Sequence, residues 1–242
     1  MSEPYARIFL LSHMRAYTSL AGHVLGSHPR INGYYEMHLG YEDASALDQQ
    51  LELYRQGDAL KPNSRYLFDK LLHNDYALKP ERLGAADIRI LVSLAEPEHT
   101  IKSIVQLFRQ KPDPDLYASP AQAAYYYVER VRAIAAFCRT TDRPYCYFDA
   151  ELWQRAPETL LPWLTAWLEL DAPLSERYEV FCHTGKARRG DTSARVSSGR
   201  IDRMRSDYSQ VAVPEEVLAA ARAAYGECRE QIIAGAADSV VL

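Results

Sequence analysis

Short unbroken apolar runs alternate along this chain with longer stretches whose apolar residues recur every three or four positions. The first pattern predicts buried strands and the second amphipathic helices. Arg7-Ile-Phe-Leu-Leu11 reads as a strand ending in a polar loop. A helix follows from Thr18 to Gly26, with Thr18 or a neighbour as N-cap and Gly26 and Pro29 as stop signals. Ile31 to Tyr35 is strand-like, Glu42 to Arg55 helical, and Arg65 to Asp69 a short strand. Ile88 to Leu94 is the clearest central strand. Pro97 then opens a helix to Gln110, since proline suits a first helical turn. Lys111 to Asp115 is a turn-rich break before a long helix, Pro120 to Arg139, which carries Tyr125, Tyr126 and Tyr127. Pro144 to Phe148 is a strand, and Pro157 to Leu168 and Pro214 to Ala234 are helices. The segment from His183 to Arg205 is polar, basic and without core-forming periodicity, a profile common in functional loops. Strands alternating with helices predict an α/β fold, with a central, mainly parallel sheet flanked by helices. A single domain over residues 1–242 suits that pattern.

Composition narrows the function classes. The net charge of −4 argues against general nucleic-acid binding, which needs a broad basic face, but leaves room for a local basic pocket. Cys138, Cys146, Cys182 and Cys228 include no C-x-x-C pair, so a zinc ribbon and a small disulfide scaffold are not expected. His23, His28, His99 and His183 show no ligand spacing that suggests a metal, and none is predicted. The first residues lack a signal peptide's apolar stretch, and no window reaches a membrane span of about 20 apolar residues. The expectation is a soluble, reduced, cytoplasmic protein with no general nucleic-acid partner and no membrane span.

The chemistry concentrates in the loop Ser12-His-Met-Arg-Ala-Tyr-Thr-Ser19. A strand that feeds a helix through such a loop points unpaired N–H groups at one place, where the helix dipole favours a phosphate. Arg15 adds a forked cation, and Ser12, Thr18 and Ser19 add hydroxyls. The plain alternative is an ordinary strand-to-helix turn, because the pattern G-x-x-x-x-G-K-[ST] is not present.

Five segments, in order, resemble the sulfotransferase family that uses 3′-phosphoadenosine 5′-phosphosulfate (PAPS). Arg15-Ala-Tyr-Thr-Ser-Leu20, with Leu25-Gly-Ser-His-Pro29 and Glu36 beyond, is similar to the family's opening strand-loop-helix. Phe68-Asp-Lys-Leu-Leu-His-Asn74 resembles its D-K-x-x-x-N stretch, and Leu94 to Ser103 its R-[DE]-P-x-x-x-x-x-S segment. Tyr145 to Leu170 resembles the next strand and proline-started helix. Gly190-Asp-Thr-Ser with Ser198-Gly-Arg-Ile201 resembles the late loop that closes over the nucleotide. The resemblance implies the sulfotransferase variant of the P-loop-containing nucleotide hydrolase-like fold. It also implies transfer of a sulfuryl group from PAPS to a hydroxyl or amine of a small-molecule or carrier-bound acceptor.

In that reading Arg15, Ala16, Tyr17, Thr18 and Ser19 hold the 5′-phosphosulfate end, chiefly through N–H groups. Ser103 holds the 3′-phosphate, and Arg188, Arg189 and Gly190 close over the nucleotide. Glu36 matches the position of the family's catalytic glutamate, and His38 is the rival base. Lys70 would stabilise the sulfate or leaving group, and His73 and Asn74 would orient the acceptor. His13 is a further group able to touch sulfuryl oxygens, without a family counterpart. Tyr34, Tyr35, Tyr41 and Tyr125 to Tyr127 read as half-buried packing, with an aromatic acceptor pocket as the alternative. The chain departs from the family pattern at Tyr17, where a glycine is expected, and at Ala95, where the 3′-phosphate arginine is expected. Lys102, Arg188, Arg189 and Arg195 are available as substitute cations. Two other readings stand beside the transferase: a non-catalytic binding domain that has lost the nucleotide, and a small nucleotide kinase, which Tyr17 before Thr18 argues against.

Overall fold

A computed structural model describes residues 5–113, 115–185 and 195–242. Its sheet is built from β1 (Ala6–Leu11), β2 (Ile31–Asn32), β3 (Tyr66–Leu71), β4 (Ile88–Leu94), β5 (Tyr145–Asp149) and β6 (Asp238–Val240). The spatial order is β2-β3-β1-β4-β5-β6, and every pairing is parallel. The helices are α1 (Thr18–Ser27), α2 (Ser45–Gly57), α3 (Pro97–Arg109), α4 (Pro120–Thr140), α5 (Leu152–Arg155), α6 (Pro157–Trp167) and α7 (Glu215–Gly235).

A parallel sheet covered on both sides needs strands that are apolar on both faces, and β1 is buried at all six positions. Phe9, Leu11, Ile90, Val92 and Tyr147 face the core under α3, α4 and α7. Ile8, Leu10, Phe68, Leu91 and Phe148 face the opposite core, under α1 and α6. Each fully buried aliphatic side chain here contributes about 1.5–3 kcal/mol. No helix among the described residues is long and apolar enough to cross a membrane.

β2, α2 and β6 differ from the sequence expectation, and the four-residue α5 was not expected. The second strand stops at Asn32 because Gly33 takes φ 95° and lies against β3, where a Cβ would come 2.6 Å from the Phe68 carbonyl oxygen. The chain therefore turns, burying Tyr34 and Tyr35 and carrying Glu36 inward. Helix α2 begins at Ser45, after Asp43, whose carboxylate accepts from the Ser45 N–H and hydroxyl. The third difference is β6, a short, mostly exposed edge strand that holds one apolar residue, Val240.

Candidate active site

The connection after β1 leads to β2 on one side, and the connection after β4 leads to β5 on the other. The crevice between the carboxyl ends of β1 and β4 is therefore the place where open α/β sheets bind ligands. Here the two loops are tied together. The Ser12 hydroxyl donates to the Ser93 carbonyl at 2.8 Å, and the Ala95 N–H donates to His13 Nε2 at 3.0 Å. His13 Nε2 is thus an acceptor, and Nδ1 carries the proton towards the Met14 carbonyl at 2.9 Å. Burial pulls the His13 imidazole down to about 4, which keeps it neutral. Both nitrogens are spent on backbone, so His13 shapes the loop and has none left for sulfuryl oxygens. The Met14 N–H donates to the Tyr126 hydroxyl at 2.8 Å, and that hydroxyl donates to the Leu72 carbonyl at 2.7 Å. Held in this way, the loop passes through left-handed conformations at Arg15 (φ 65°) and Tyr17 (φ 57°). Each costs a non-glycine residue about 1–2 kcal/mol. Tyr17 thus adopts the backbone shape that explains a glycine at this place, and it does so as the residue before α1.

Beyond the loop opens a cleft of about 540 Å³, within the range of small-molecule sites. Arg15, Tyr17, Thr18 and Ser19 line one wall, and His99 and Ser103 of α3 line another. Arg15 Nε donates to Ser103 Oγ at 2.8 Å, and Ser103 Oγ donates to the Tyr208 hydroxyl at 2.9 Å. Arg205 Nε lies 3.1 Å from His99 Nδ1, and another of its nitrogens lies 3.4 Å from Glu96 Oε2. The charges felt at His99 are positive. Burial pulls His99 down to about 4, with the charges of Arg205, Arg15, Arg195 and Lys102 acting in the same direction. Burial pushes the Tyr208 phenol up, but Ser103, Ser206 and Arg15 outweigh it and hold the group below its ordinary value. A basic pocket inside an acidic chain is the arrangement an anionic ligand requires.

The side chain of Ala95 is closed in by Ala16 and Ala150, with Tyr17 packed against them. An arginine there would displace its neighbours. The cation that stands at Ser103 is instead Arg15. Lys102 is engaged by Glu98 at 2.8 Å, and Arg195 lines the cleft while lying 3.4 Å from Asp202. Ala16 is buried and offers the cleft no side chain. Lys70, at the end of β3, is buried, and its ammonium donates to Ser19 Oγ at 3.3 Å in the first turn of α1. A cation beside the positive end of a helix is unfavourable until an anion lies near both.

A second group of polar residues surrounds Glu36, which is buried, with Oε1 hidden from solvent and without a hydrogen-bond partner. His38 Nδ1 lies 3.7 Å from Oε1 and His73 Nε2 lies 4.0 Å from it. Burial lowers the His73 imidazole, opposed by the charge of Glu36. His38 is exposed and takes φ 54°. Arg130 braces this side: Nε donates to the Ser12 carbonyl at 2.9 Å and Nη1 to Asn74 Oδ1 at 2.9 Å, while Nη2 donates to the Leu71 carbonyl. Asn74 is thereby tied to α4. Tyr126 connects the two groups, since it holds Met14 and its ring lies 5.6 Å from that of His73.

Against solved structures, the chain is similar to a sulfotransferase domain from the curacin biosynthetic pathway. The TM-score is 0.65 at 16% identity, covering 93% of this chain and 98% of that one. The chain has the sulfotransferase fold. It is also similar to the sulfotransferase domain of the Synechococcus PCC 7002 olefin synthase. There the TM-score is 0.61 at 18% identity, covering 92% of this chain and 95% of that one. No protein-family model matches the chain, and no curated protein does.

On this sulfotransferase fold the sequence-predicted residues fall into two sets. Arg15, Tyr17, Thr18, Ser19 and Ser103 share the cleft, with Lys70 behind Ser19. Glu36, His38 and His73 gather separately, and none of them lines the cleft. Arg188, Arg189 and Gly190 lie outside the described residues. Of the tyrosines, Tyr34, Tyr35, Tyr41, Tyr126 and Tyr127 are buried in packing, and Tyr125 is exposed. Sequence reasoning missed His99, Arg205 and Tyr208. His99 sits one helical turn before Ser103, so the i, i+4 spacing carried a usable signal. Nothing in the sequence singles out Tyr208.

Proposed function

We propose that this chain is a sulfotransferase that binds PAPS in the cleft and passes the sulfuryl group to an acceptor hydroxyl or amine. The observation that carries this reading is the Arg15–Ser103 hydrogen bond, which joins the two phosphate-binding elements of the resemblance across one cleft. The groups present suit a donor nucleotide with an anion at each end. N–H groups of the first turn of α1, together with Lys70, receive the 5′ end. Ser103, Arg15, Arg205 and Tyr208 receive the 3′-phosphate. The acceptor approaches past His38 and His73. Glu36 takes its proton as the new oxygen–sulfur or nitrogen–sulfur bond forms and the bond from sulfur to the 5′-phosphate oxygen breaks. The charge that develops on the departing phosphate is met by Lys70 and the N–H groups of the first turn of α1. Like phosphoryl transfer, this chemistry asks for positioning and charge stabilisation rather than covalent catalysis. A carboxylate oxygen with no internal partner is one held ready for an incoming donor.

Titration calorimetry with 3′-phosphoadenosine 5′-phosphate tests the nucleotide assignment. Saturable binding is expected, weakened when the 3′-phosphate is omitted. No binding at millimolar nucleotide would sink this proposal and favour the non-catalytic domain.

A further inference from the structure

Away from the cleft, the end of α2 meets the turn at residues 181–184. There Asp58, Cys182 and His183 bring a carboxylate oxygen, a thiol and an imidazole nitrogen within 4.8 Å of one another. We propose that these three residues form a binding site for a zinc-class divalent cation, independent of the sulfotransferase reading.

Three observations support it. The donor set is the first, because thiolate, imidazole and carboxylate together suit zinc and its neighbours rather than magnesium or calcium. Spacing is the second. Bonds of about 2.3 Å to sulfur and 2.0 Å to oxygen at a tetrahedral centre separate those two ligands by about 3.5 Å. Cys182 Sγ and Asp58 Oδ1 are 3.6 Å apart. The third is polar bookkeeping around Asp58. The Cys182 thiol donates to Oδ1, while Oδ2 is hidden from solvent and has no hydrogen-bond partner. Replacing the thiol proton by a divalent cation satisfies the carboxylate and neutralises the thiolate formed.

The surroundings fit an ion held at a fixed point. His183 Nε2 lies 3.3 Å from the Gly57 carbonyl, and backbone contacts of this kind orient metal-bound imidazoles. The His183 N–H donates to the Tyr34 hydroxyl at 3.2 Å, and Tyr34 stacks on Phe181 at 4.1 Å between ring centroids. The nearby cation Lys61 turns its ammonium to the carbonyls of Gly26 and His28. Three protein ligands leave a fourth position open to water. Such an ion would pin the turn before residue 186 to the end of α2.

The test uses the full chain, without a histidine tag, reduced with a non-thiol reagent. Zinc binding is followed by calorimetry and cobalt binding by absorption. One ion per chain is expected, with a thiolate-to-cobalt charge-transfer band. Of the four cysteines only Cys182 is exposed, so Cys182→Ser folds and must abolish that band. It should also weaken zinc binding by at least about 100-fold, more than loss of an outer partner costs. Asp58→Asn should weaken zinc binding while keeping the band. Zinc bound no more tightly by the parent chain than by Cys182→Ser, or a band that survives Cys182→Ser, overturns the proposal.

Discussion

The Arg15–Ser103 cleft and the cluster around Glu36 are linked through one loop and are built on opposite principles. In the cleft the polar groups already bond to one another: Arg15 to Ser103, Ser103 to Tyr208, and Arg205 to His99. In the cluster a buried carboxylate oxygen stands with two imidazoles near it and no hydrogen bond. On the proposed function the difference suits two tasks. An anion is bound most tightly by donors fixed in advance, because little ordering remains to be done on binding. A base is most effective when nothing competes for the proton it is to take. Arg130 and Tyr126 fix the loop through Ser12 and Met14, and so hold it between the two groups.

The contrast predicts that changes on the two sides separate turnover from binding. Glu36→Gln should lower turnover by about 10²- to 10⁴-fold and leave nucleotide affinity nearly unchanged. His38→Asn should cost much less, and an equal loss would move the base to His38. On the cleft side, Arg15→Gln removes a charged donor worth about 1.5–3 kcal/mol. Calorimetry should show 3′-phosphoadenosine 5′-phosphate bound about 10- to 100-fold more weakly. Unchanged affinity would show that another cation serves Ser103.

The two remaining predictions concern the loop that links the two groups. Folded His13 titrates at about 4, against 6.5 unfolded, so the unfolded chain takes the proton first as pH falls. Its contribution is complete above 6.5 and is lost progressively down to about 4. Between pH 7 and 5 that loss is about 2 kcal/mol. Denaturant unfolding should show His13→Gln less sensitive over this interval than the parent chain, and equal sensitivity would remove His13 from this role. Finally, Tyr17→Gly should be more stable than Tyr17→Ala by about 1 kcal/mol, because both lose the ring but only glycine is at ease with a left-handed φ. The reverse order in thermal unfolding would show that the loop does not hold this shape in solution.

Much of the fold was legible. The strand Ile88–Leu94 and the start of α3 at Pro97 stand where the sequence placed them, since an apolar run and a proline are local signals. The early end of β2 was not legible, because it depends on Gly33 meeting the Phe68 carbonyl of another strand. The polar edge strand β6 is defined only by pairing with β5. At the candidate site, ordered motifs singled out the loop and Ser103, which share one cleft. The answer to Ala95 was not legible, because Arg15 and Ser103 are 88 positions apart and only folding joins them. The Asp58, Cys182 and His183 cluster escaped for the same reason.

The path of the loop through Tyr17 has a consequence for how such chains diverge. Where a glycine makes a turn, the turn's shape is written in the turn itself. Here it is held by contacts outside the strained residues, His13 against the backbone of Ala95 and Tyr126 against Met14. Position 17 is then free to drift, while positions 13 and 126 are not. A pattern that spells out the loop will pass over such a chain, whereas one that reads those distant pairs will find it.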